Sequence, residues 1–411
     1  MERGYPVAPR FGGSVSETGS LLSKLDCRAC CSEVEPSAPV GTCPTCGHTL
    51  LASYRLDRFD GPRWKNKLAD REKTLWRYRE LLPVRTVESI VTLGEGCSPV
   101  LSLGPVPEAP GFEVLVKDDG GLPTGSFKSR GMAVAVSRAK ELGLSTLFVP
   151  SAGNAAVALS AYAARGGLTA RVYLPERTLS SMRAACALYG AEVVEVPGTI
   201  REAGDAARQA EKGRGSFDMS TLREPYRVEG KKTMGFEIFE QTFPDRFPDA
   251  ILYPTGGGTG LMGMAKAFAE LRTVGLLDRL PRLIAVQPNG CAPVVRALKE
   301  GTERVTAWTD PRTLAPGLLV PAPFASERVL EAVRSTHGTG VQVTDEEIVT
   351  AMHALARRHG ISASPEGAAT YAALNRLVRE GMLRAGERVL LYNTGTGLGI
   401  SVEELARQLA P

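Results

Sequence analysis

Short β-branched runs alternate with amphipathic stretches from about residue 112 to the end of the chain. Runs of this kind predict strands, and apolar residues at helical spacing predict helices. The predicted strands cover residues 112–116, 146–149, 170–174, 192–196, 250–253, 282–286, 341–343 and 388–391. The predicted helices cover residues 127–142, 155–165, 180–189, 199–211, 230–241, 260–274, 344–359 and 366–379. Strands that alternate with helices predict parallel sheets covered on both faces, and therefore an α/β fold.

Composition excludes several classes of protein. The chain has 411 residues, of which 43% are hydrophobic, so it can bury a sizeable core. A net charge of +4, from 49 basic and 45 acidic residues, gives no strong field, so we expect no nucleic-acid partner. The first residues contain no apolar run typical of a signal peptide, and no stretch is long enough to span a bilayer. We therefore expect a cytoplasmic protein without a membrane partner.

Four loops at the ends of predicted strands carry polar or glycine-rich sequences. They are residues 123–131 (PTGSFKSRG), 151–154 (SAGN), 255–260 (TGGGTG) and 393–397 (NTGTG). In parallel sheets, ligands bind at the carboxyl ends of the strands, where such loops gather. Together the loops offer an amine, an amide, an anion cradle and a hydroxyl. Those groups predict a site that holds pyridoxal phosphate as an imine of Lys128.

Lys128 stands just past a Pro/Gly turn, at the start of a predicted helix. A free lysine amine has a pKa of about 10.4 and is protonated at neutral pH, so its surroundings must favour the neutral form before it can react. The positive end of the helix dipole disfavours the ammonium and so acts in that direction. The alternative interpretation is a surface lysine in the first turn of a helix.

The glycine-rich loop consists of Gly256, Gly257, Gly258, Thr259 and Gly260, and it opens a predicted helix. Backbone N–H groups in a loop poor in side chains, at a helix N-terminus, can bind a phosphate. No Gly-Lys-Ser/Thr follows, which argues against a nucleotide P-loop, and the spacing is not that of a dinucleotide fingerprint. A tight turn that binds nothing is the alternative.

Two further side chains would contact the pyridine ring. Asn154 can donate to the 3′ oxygen of the ring, although Ser and Asn are also ordinary helix caps at this position. Thr394 offers a neutral hydroxyl to the ring nitrogen, which would leave that nitrogen unprotonated and the ring a weaker electron sink. Such a site suits β- and γ-elimination or replacement more than transamination. A simple strand-end turn is the alternative for Thr394.

Four cysteines have the spacing of metal ligands. Cys27, Cys30, Cys43 and Cys46 form two C-x2-C pairs separated by twelve residues, which matches a tetrahedral Cys₄ zinc ribbon. Four thiolates close the coordination sphere, so the zinc would be structural. Cys31 and His48 lie close by and leave the ligand set open, and four free thiols remain an alternative.

Basic residues in the segment 224–233 (EPYRVEGKKT) would matter for a phosphorylated substrate. Arg227 can contact a phosphate through two N–H groups at once. For Lys231 and Lys232, taken singly, we favour a solvated, charged turn.

Several of these motifs resemble the threonine synthases, which are pyridoxal-phosphate enzymes related to the tryptophan synthase β chain. The resemblance extends from about residue 23 to the end and is carried by residues 76–83 (WRYRELLP), 93–96 (LGEG), 123–131, 220–227 (STLREPYR), 365–370 (PEGAAT) and 393–398 (NTGTGL). It implies a fold-type-II lyase that converts O-phospho-L-homoserine and water to L-threonine and phosphate by γ-elimination and β-addition. It also implies that Ser151 and Arg227 face the substrate, beside a second anion pocket.

The expected domain organisation has four parts. Residues 1–22 form a flexible N-terminus and residues 23–60 a zinc-ribbon-like segment. The resemblance implies a large pyridoxal-phosphate-binding domain formed by residues 61–135 and 230–411. It places a small α/β domain, residues 136–229, as an insertion within the large one, and it implies a homodimer.

Four positions depart from the pattern of that family. The family usually has Asp at the position of Ser129, Asn at that of Leu122, Asn at that of Cys97, and in part Thr at that of Ala155. We expect all four to lie at or beside the substrate region. Two alternatives therefore stay open. One is a paralogue performing β-replacement or β-elimination on another amino acid, as a cysteate synthase or a serine/threonine deaminase does. The other is a zinc-ribbon binding protein with an inactive catalytic body.

Overall fold

A computed structural model describes residues 18–400. The strands, in chain order, are β1 (Leu22–Asp26), β2 (Glu33–Val34), β3 (Leu51–Tyr54), β4 (Val100–Ser102), β5 (Glu113–Asp118), β6 (Thr146–Pro150), β7 (Thr169–Pro175), β8 (Glu192–Val196), β9 (Phe217–Asp218), β10 (Ala250–Pro254), β11 (Arg282–Pro288), β12 (Thr339–Val343) and β13 (Arg388–Asn393). The helices are α1 (Gly61–Lys67), α2 (Lys128–Glu141), α3 (Asn154–Gly166), α4 (Ser180–Leu188), α5 (Ile200–Glu211), α6 (Arg227–Thr242), α7 (Thr259–Thr273), α8 (Pro293–Glu300), α9 (Ser326–Arg334), α10 (Asp345–His359) and α11 (Pro365–Arg379).

Every predicted strand and helix is present. The largest difference in a boundary is at α6, which begins at Arg227 instead of residue 230. The helices α1, α8 and α9 and the strands β1, β2, β3, β4 and β9 were not predicted. None of the helices between residues 18 and 400 combines the length and the apolar character that a membrane span requires.

Within residues 18–400 the strands form three sheets. A six-stranded sheet has the order β12-β11-β10-β13-β5-β4, and all of its pairs are parallel except β4 with β5. A four-stranded parallel sheet has the order β8-β7-β6-β9, and an antiparallel sheet of β2, β1 and β3 precedes both. The α/β class with two largely parallel sheets is therefore confirmed.

The four-stranded sheet comes from one stretch of chain, residues 146–218, which lies between β5 and β10 of the six-stranded sheet. This is the arrangement expected of an inserted unit, although the domain limits given above stay a prediction. The expected flexible N-terminus lies mostly outside the described residues. Its last part, residues 18–22, is packed instead, because the buried Thr18 hydroxyl donates to the Val84 carbonyl and Leu22 joins a hydrophobic core.

The last strand of the described chain lies in the middle of the six-stranded sheet. β13 pairs with β10 on one side and with β5 on the other. Because all three run parallel, the loops that follow them emerge at the same edge, although they are distant in sequence. Those loops contain residues 123–131, 255–260 and 393–397, three of the four motifs.

The central strands are buried on both faces because helices cover each side. Along β10, Ile251 and Tyr253 pack with apolar residues of α6, α7 and α9. The alternate residues Ala250 and Leu252 pack with residues of α10 and α11. Successive side chains of a strand point to opposite faces, so a continuous apolar run is what a strand inside such a sandwich requires.

A buried network of charged side chains joins β5, α2 and α6. Arg130 lies 2.7 Å from Asp119 and 2.5 Å from Glu237, and Lys117 lies 2.7 Å from Glu237; none of the four side chains is exposed. The Tyr392 hydroxyl of β13 donates to Asp119 at 2.8 Å. Burial alone would raise the pKa of Glu237, but the charges of Arg130 and Lys117 outweigh it and lower that pKa to about 2.

Replacing Glu237 by Gln should destabilise the protein by about 3–5 kcal/mol at pH 7, because two buried cations lose their partner. The folded-state pKa is depressed below the unfolded value of about 4.3, so this stabilisation is present above that pH and is lost as the pH falls towards 2. The variant should therefore lose stability less steeply than the wild type across that window. Denaturant unfolding at several pH values measures both effects.

The matched control is Asp205→Asn. Asp205 is 67% exposed and pairs with Arg208 within α5, so its loss should change stability by no more than about 0.5 kcal/mol. Equal unfolding midpoints for Glu237→Gln and the wild type would show that the network adds nothing to stability.

Candidate active site

Lys128 is the first residue of α2 and lies half-buried at the edge where the loops gather. Its amine sits 4.0 Å from the centroid of the Phe127 ring. Desolvation and then the charge of Arg227 lower the pKa of Lys128 to about 7, against the opposing effect of Glu366. A substantial share of these amines is therefore unprotonated near neutral pH, as a nucleophilic lysine requires.

The turn before Lys128 is joined to the end of β13. The Phe127 N–H donates to the Thr394 carbonyl at 2.9 Å, and the Thr396 N–H donates to the Gly125 carbonyl at 2.9 Å. Thr394 itself is 5% exposed. The structure thus brings the predicted amine and the predicted hydroxyl segment together, although 266 positions separate residues 128 and 394 in the sequence.

The glycine-rich loop connects β10 to α7, and close packing explains most of its glycines. A Cβ added to Gly256 would lie 2.4 Å from the Gly317 carbonyl oxygen, and one added to Gly260 would lie 2.0 Å from the Tyr253 hydroxyl. Gly258 has φ +75°, a left-handed conformation that favours glycine, and a Cβ there would lie 2.3 Å from Val329. Gly257 is looser and partly exposed. Four of the five residues from 256 to 260 are glycines, and the loop leads into the N-terminus of a 15-residue helix.

Ser151 and Asn154 lie at the carboxyl end of β6, in the other parallel sheet. The Ser151 N–H donates to the Tyr173 carbonyl at 3.1 Å, and Asn154 begins α3. Both residues are half-buried. Helix α3, which begins at Asn154, packs against α2 and against the turn 123–125 that precedes Lys128.

Arg227 begins α6 and is buried. Its Nη1 donates to the Met219 carbonyl at 2.5 Å, while its Nε is buried without a partner among residues 18–400. The Glu224 carboxylate accepts the backbone N–H groups of Tyr226 at 2.7 Å and Arg227 at 3.0 Å, and so caps the helix. Sequence reasoning did not assign a role to Glu224, because the cap position itself is Tyr226, which makes no side-chain cap bond.

The interpretation of Lys231 and Lys232 as a solvated turn is wrong. Both side chains are completely buried. They lie within α6, which packs between α2 and α7, so this part of the chain is a core helix and not a surface turn. Lys232 is paired with Glu229 at 2.8 Å and Glu270 at 3.0 Å.

Two of the four residues that differ from the family pattern, Ser129 and Cys97, form hydrogen bonds with the turn before Lys128 and with the buried ion network, respectively. Ser129 is fully buried, and its hydroxyl contacts the Pro123 carbonyl and lies 3.0 Å from the Thr124 hydroxyl. It therefore closes the turn that precedes Lys128. The Cys97 N–H donates to Glu237 at 2.8 Å, which connects this position to the buried ion network. Leu122 and Ala155 are each 7% exposed.

The four cysteines of the N-terminal segment converge. Their sulfur atoms all lie within 4.8 Å of one another, with Cys27 3.4 Å from Cys46 and Cys30 3.6 Å from Cys43. A tetrahedral zinc with bonds of about 2.3 Å separates its sulfurs by about 3.8 Å, so this cluster fits the metal. The nearby Cys31 is exposed and lies outside the cluster, as does His48.

Comparison with known proteins identifies the class of enzyme to which this fold belongs. Residues 91–395 match the family of pyridoxal-phosphate dependent enzymes. The processed form of threonine deaminase isoform 2 from Solanum lycopersicum has a similar structure, with a TM-score of 0.63 and 19% identity over 92% of this chain and 99% of that one. A serine racemase from Dictyostelium discoideum aligns with a TM-score of 0.63 and 25% identity over 74% of this chain and 93% of that one. The fold is that of the fold-type-II enzymes that use this cofactor.

Relatives found by sequence identify the family within this class of enzymes. A threonine synthase from Methanocaldococcus jannaschii is 35% identical over 374 residues, which cover 90% of this chain and 92% of that protein. A threonine synthase from Methanosarcina acetivorans is 35% identical over 375 residues, which cover 90% of this chain and 91% of that protein. The chain therefore belongs to the threonine synthase family.

The packing of the glycine-rich loop generates a stability prediction. Gly260→Ala should destabilise the protein by about 1–3 kcal/mol, because the new methyl group overlaps the Tyr253 hydroxyl inside the core. Gly257→Ala in the same loop should cost much less, because its nearest neighbour is a Thr221 methyl group at 3.1 Å. Denaturant unfolding of the cofactor-free protein compares the two, and equal losses would contradict the packing geometry.

Proposed function

We propose that this chain converts O-phospho-L-homoserine and water to L-threonine and phosphate with pyridoxal phosphate as cofactor. The observation that carries the proposal is that two functional groups lie close enough for the charge of one to act on the other. Lys128 offers an amine with a pKa of about 7, and the buried Arg227, whose charge helps to lower that value, offers an anion an N–H that is unpartnered within the described chain. Relatives with this activity in their names cover 90% of the chain.

The residues present fit the cofactor. Lys128 would bind its aldehyde, the loop from Gly256 to Gly260 its phosphate, Asn154 its ring oxygen and Thr394 its ring nitrogen. That loop is glycine except for Thr259, so few side chains hinder the approach of a phosphate to its backbone N–H groups. When bound, pyridoxal phosphate supplies an electron-withdrawing ring that stabilises negative charge next to the amino group of a substrate.

The chain's own residues would carry the remaining steps. Lys128 would take protons from Cα and Cβ of the substrate. The Cγ–O bond would break with phosphate as the leaving group, and a proton would be delivered to Cγ. The hydroxyl of a water molecule would then add at Cβ while Cα regains a proton. The remaining proton of that water would end on the released phosphate, so the two protons taken from Cα and Cβ are matched by those returned to Cγ and Cα. Ser151 would hold the substrate carboxylate and Arg227 its phosphate, since a guanidinium matches phosphate geometry.

A second candidate is β-elimination or β-replacement on another amino acid. Leu122 and Ala155, which differ from the family pattern, motivate it. Turnover of O-phosphohomoserine to threonine with equal release of phosphate supports the main proposal. If O-phosphohomoserine is not turned over and serine or threonine is converted to a keto acid, the second candidate would replace the main proposal.

Replacing Lys128 by Ala should abolish turnover, because the reactive amine is lost, while Lys140→Ala, an exposed lysine on the same helix, should leave the rate unchanged. Borohydride reduction of the holoenzyme followed by peptide mapping should place the cofactor on residue 128. Capture of the cofactor by the wild type should slow as the pH falls below about 7, since protonation blocks the amine. A tag on another residue would refute the assignment.

We also propose that the four cysteines bind a structural zinc ion. Cys46→Ser should release the zinc and lower the melting temperature while the kcat of the remaining folded protein stays near that of the wild type. Cys31→Ser, next to the cluster but exposed, should change neither. Metal analysis and calorimetry measure both effects. A large loss of kcat with intact folding would contradict a purely structural metal. A homodimer, a cytoplasmic location and the absence of a nucleic-acid partner remain predictions.

A further inference from the structure

Lys231 is a buried amine that the proposed reaction does not use. It follows Arg227 by four residues on α6, so both side chains lie on the same face of the helix. The Lys231 side chain is completely buried, and its Nζ has no hydrogen-bond partner in the described part of the chain. That nitrogen lies 4.9 Å from the centroid of the Phe127 ring, the ring that the Lys128 amine also contacts.

The helix crossing fixes the direction of this side chain. A Cβ added to Gly131 of α2 would lie only 2.3 Å from the Lys231 Nζ. A Cβ added to Gly263 of α7 would lie 2.8 Å from the Lys231 backbone. Glycines on both neighbouring helices therefore make room for a lysine whose amine is held beside the turn of Lys128.

The charges around Lys231 are mostly positive. Arg227 and Lys128 face it directly, and Arg130 is already neutralised by Asp119 and Glu237. Among the described residues, the main acidic group acting on Lys231 is Glu224, which already caps α6. Burial first, then Arg227 and Lys128, lower the pKa of Lys231 well below its usual value.

Lys232, on the same helix, is a buried lysine whose charge is compensated by ion pairs. It is equally buried, but Glu229 and Glu270 neutralise it. An unpartnered buried amine costs free energy, because it has given up its water without gaining a hydrogen bond. Lys231 has no such compensation from residues 18–400, and within the same range its neighbour Arg227 keeps a buried Nε unpartnered. The Arg227 Nε and the Lys231 Nζ are thus two neighbouring buried donors without a partner in residues 18–400, and an anion could accept hydrogen bonds from both.

On the basis of the proposed function, we propose that Lys231 is a further phosphate-binding residue of the candidate active site, acting together with Arg227. The substrate phosphate is the favoured occupant, because Arg227 and Lys231 share one face of α6 while the glycine-rich loop on α7 serves the cofactor phosphate. A phosphate ester brings the negative charge and the acceptor oxygens that both donors lack.

The test compares the holoenzyme of the wild type with that of Lys231→Met, whose unbranched side chain is one atom shorter and carries no amine. Inorganic phosphate is the probe, and thermal unfolding reports its binding without turnover. The wild type should gain stability with phosphate, and the variant should bind phosphate about tenfold more weakly or worse. Without phosphate, the variant should melt at the same temperature as the wild type or higher. Lys299→Met, an exposed lysine on α8, controls for the change in net charge.

A second measurement distinguishes the source of the phosphate. Cofactor release from diluted holoenzyme is followed by absorbance. Unchanged release together with lost phosphate binding supports the substrate phosphate. Faster release with phosphate binding retained supports the cofactor phosphate as the group that Lys231 contacts.

Two outcomes would overturn the proposal. One is that neither phosphate binding nor cofactor release changes in Lys231→Met. The other is that the variant melts earlier while its response to phosphate is unchanged, which is the signature of a structural lysine. Both readouts are independent of catalysis, so a wild-type enzyme inactive on O-phosphohomoserine would refute the proposed function without deciding this test.

Discussion

The position of the reactive amine depends on the buried ion pairs of Arg130. This arginine follows Lys128 by two residues on α2, and it is held by Asp119 after β5 and by Glu237 on α6. Tyr392, two residues before Thr394, donates to the same Asp119. One network therefore fixes the start of α2 to two strand ends and a helix. Buried ion pairs contribute little net stability when they are compared with apolar packing, but removing one partner is costly, so they enforce geometry more than they add stability.

The same network also affects the electrostatics around Lys128, Arg227 and Lys231. Asp119 and Glu237 offset the charge of Arg130, so among the described residues the basic groups that act most strongly on one another are Lys128, Arg227 and Lys231. Their mutual repulsion and their desolvation favour the neutral form of the two amines, which suits a nucleophile. An anion that enters between them reverses this effect and favours the protonated forms. In the proposed site, one set of charges would thus account both for the binding of phosphate and for the reactivity of Lys128.

Sequence periodicity predicted the strands and helices that carry the motifs, because alternation and helical spacing are local properties. It could not place β13 between β10 and β5, since strand order depends on contacts between distant segments. The unpredicted α1, α8 and α9 have only seven to nine residues, a length at which a helical period is weak, although α4 with nine residues was predicted. Lys231 and Lys232 were misjudged for a related reason. Two adjacent lysines are typical of a surface, and only the packing of α6 between α2 and α7 shows that they are buried.

The cysteine segment contacts the catalytic body through α6, yet it should affect stability and not chemistry. Tyr54, at the end of β3, donates its hydroxyl to Glu229 at 2.8 Å, and Glu229 pairs with Lys232 and Lys266. Glu229 is two residues from both Arg227 and Lys231. At about 100° per residue, two positions along a helix correspond to about 200°, so Glu229 faces away from them. The segment therefore contacts the face of α6 opposite to the one that carries Arg227 and Lys231.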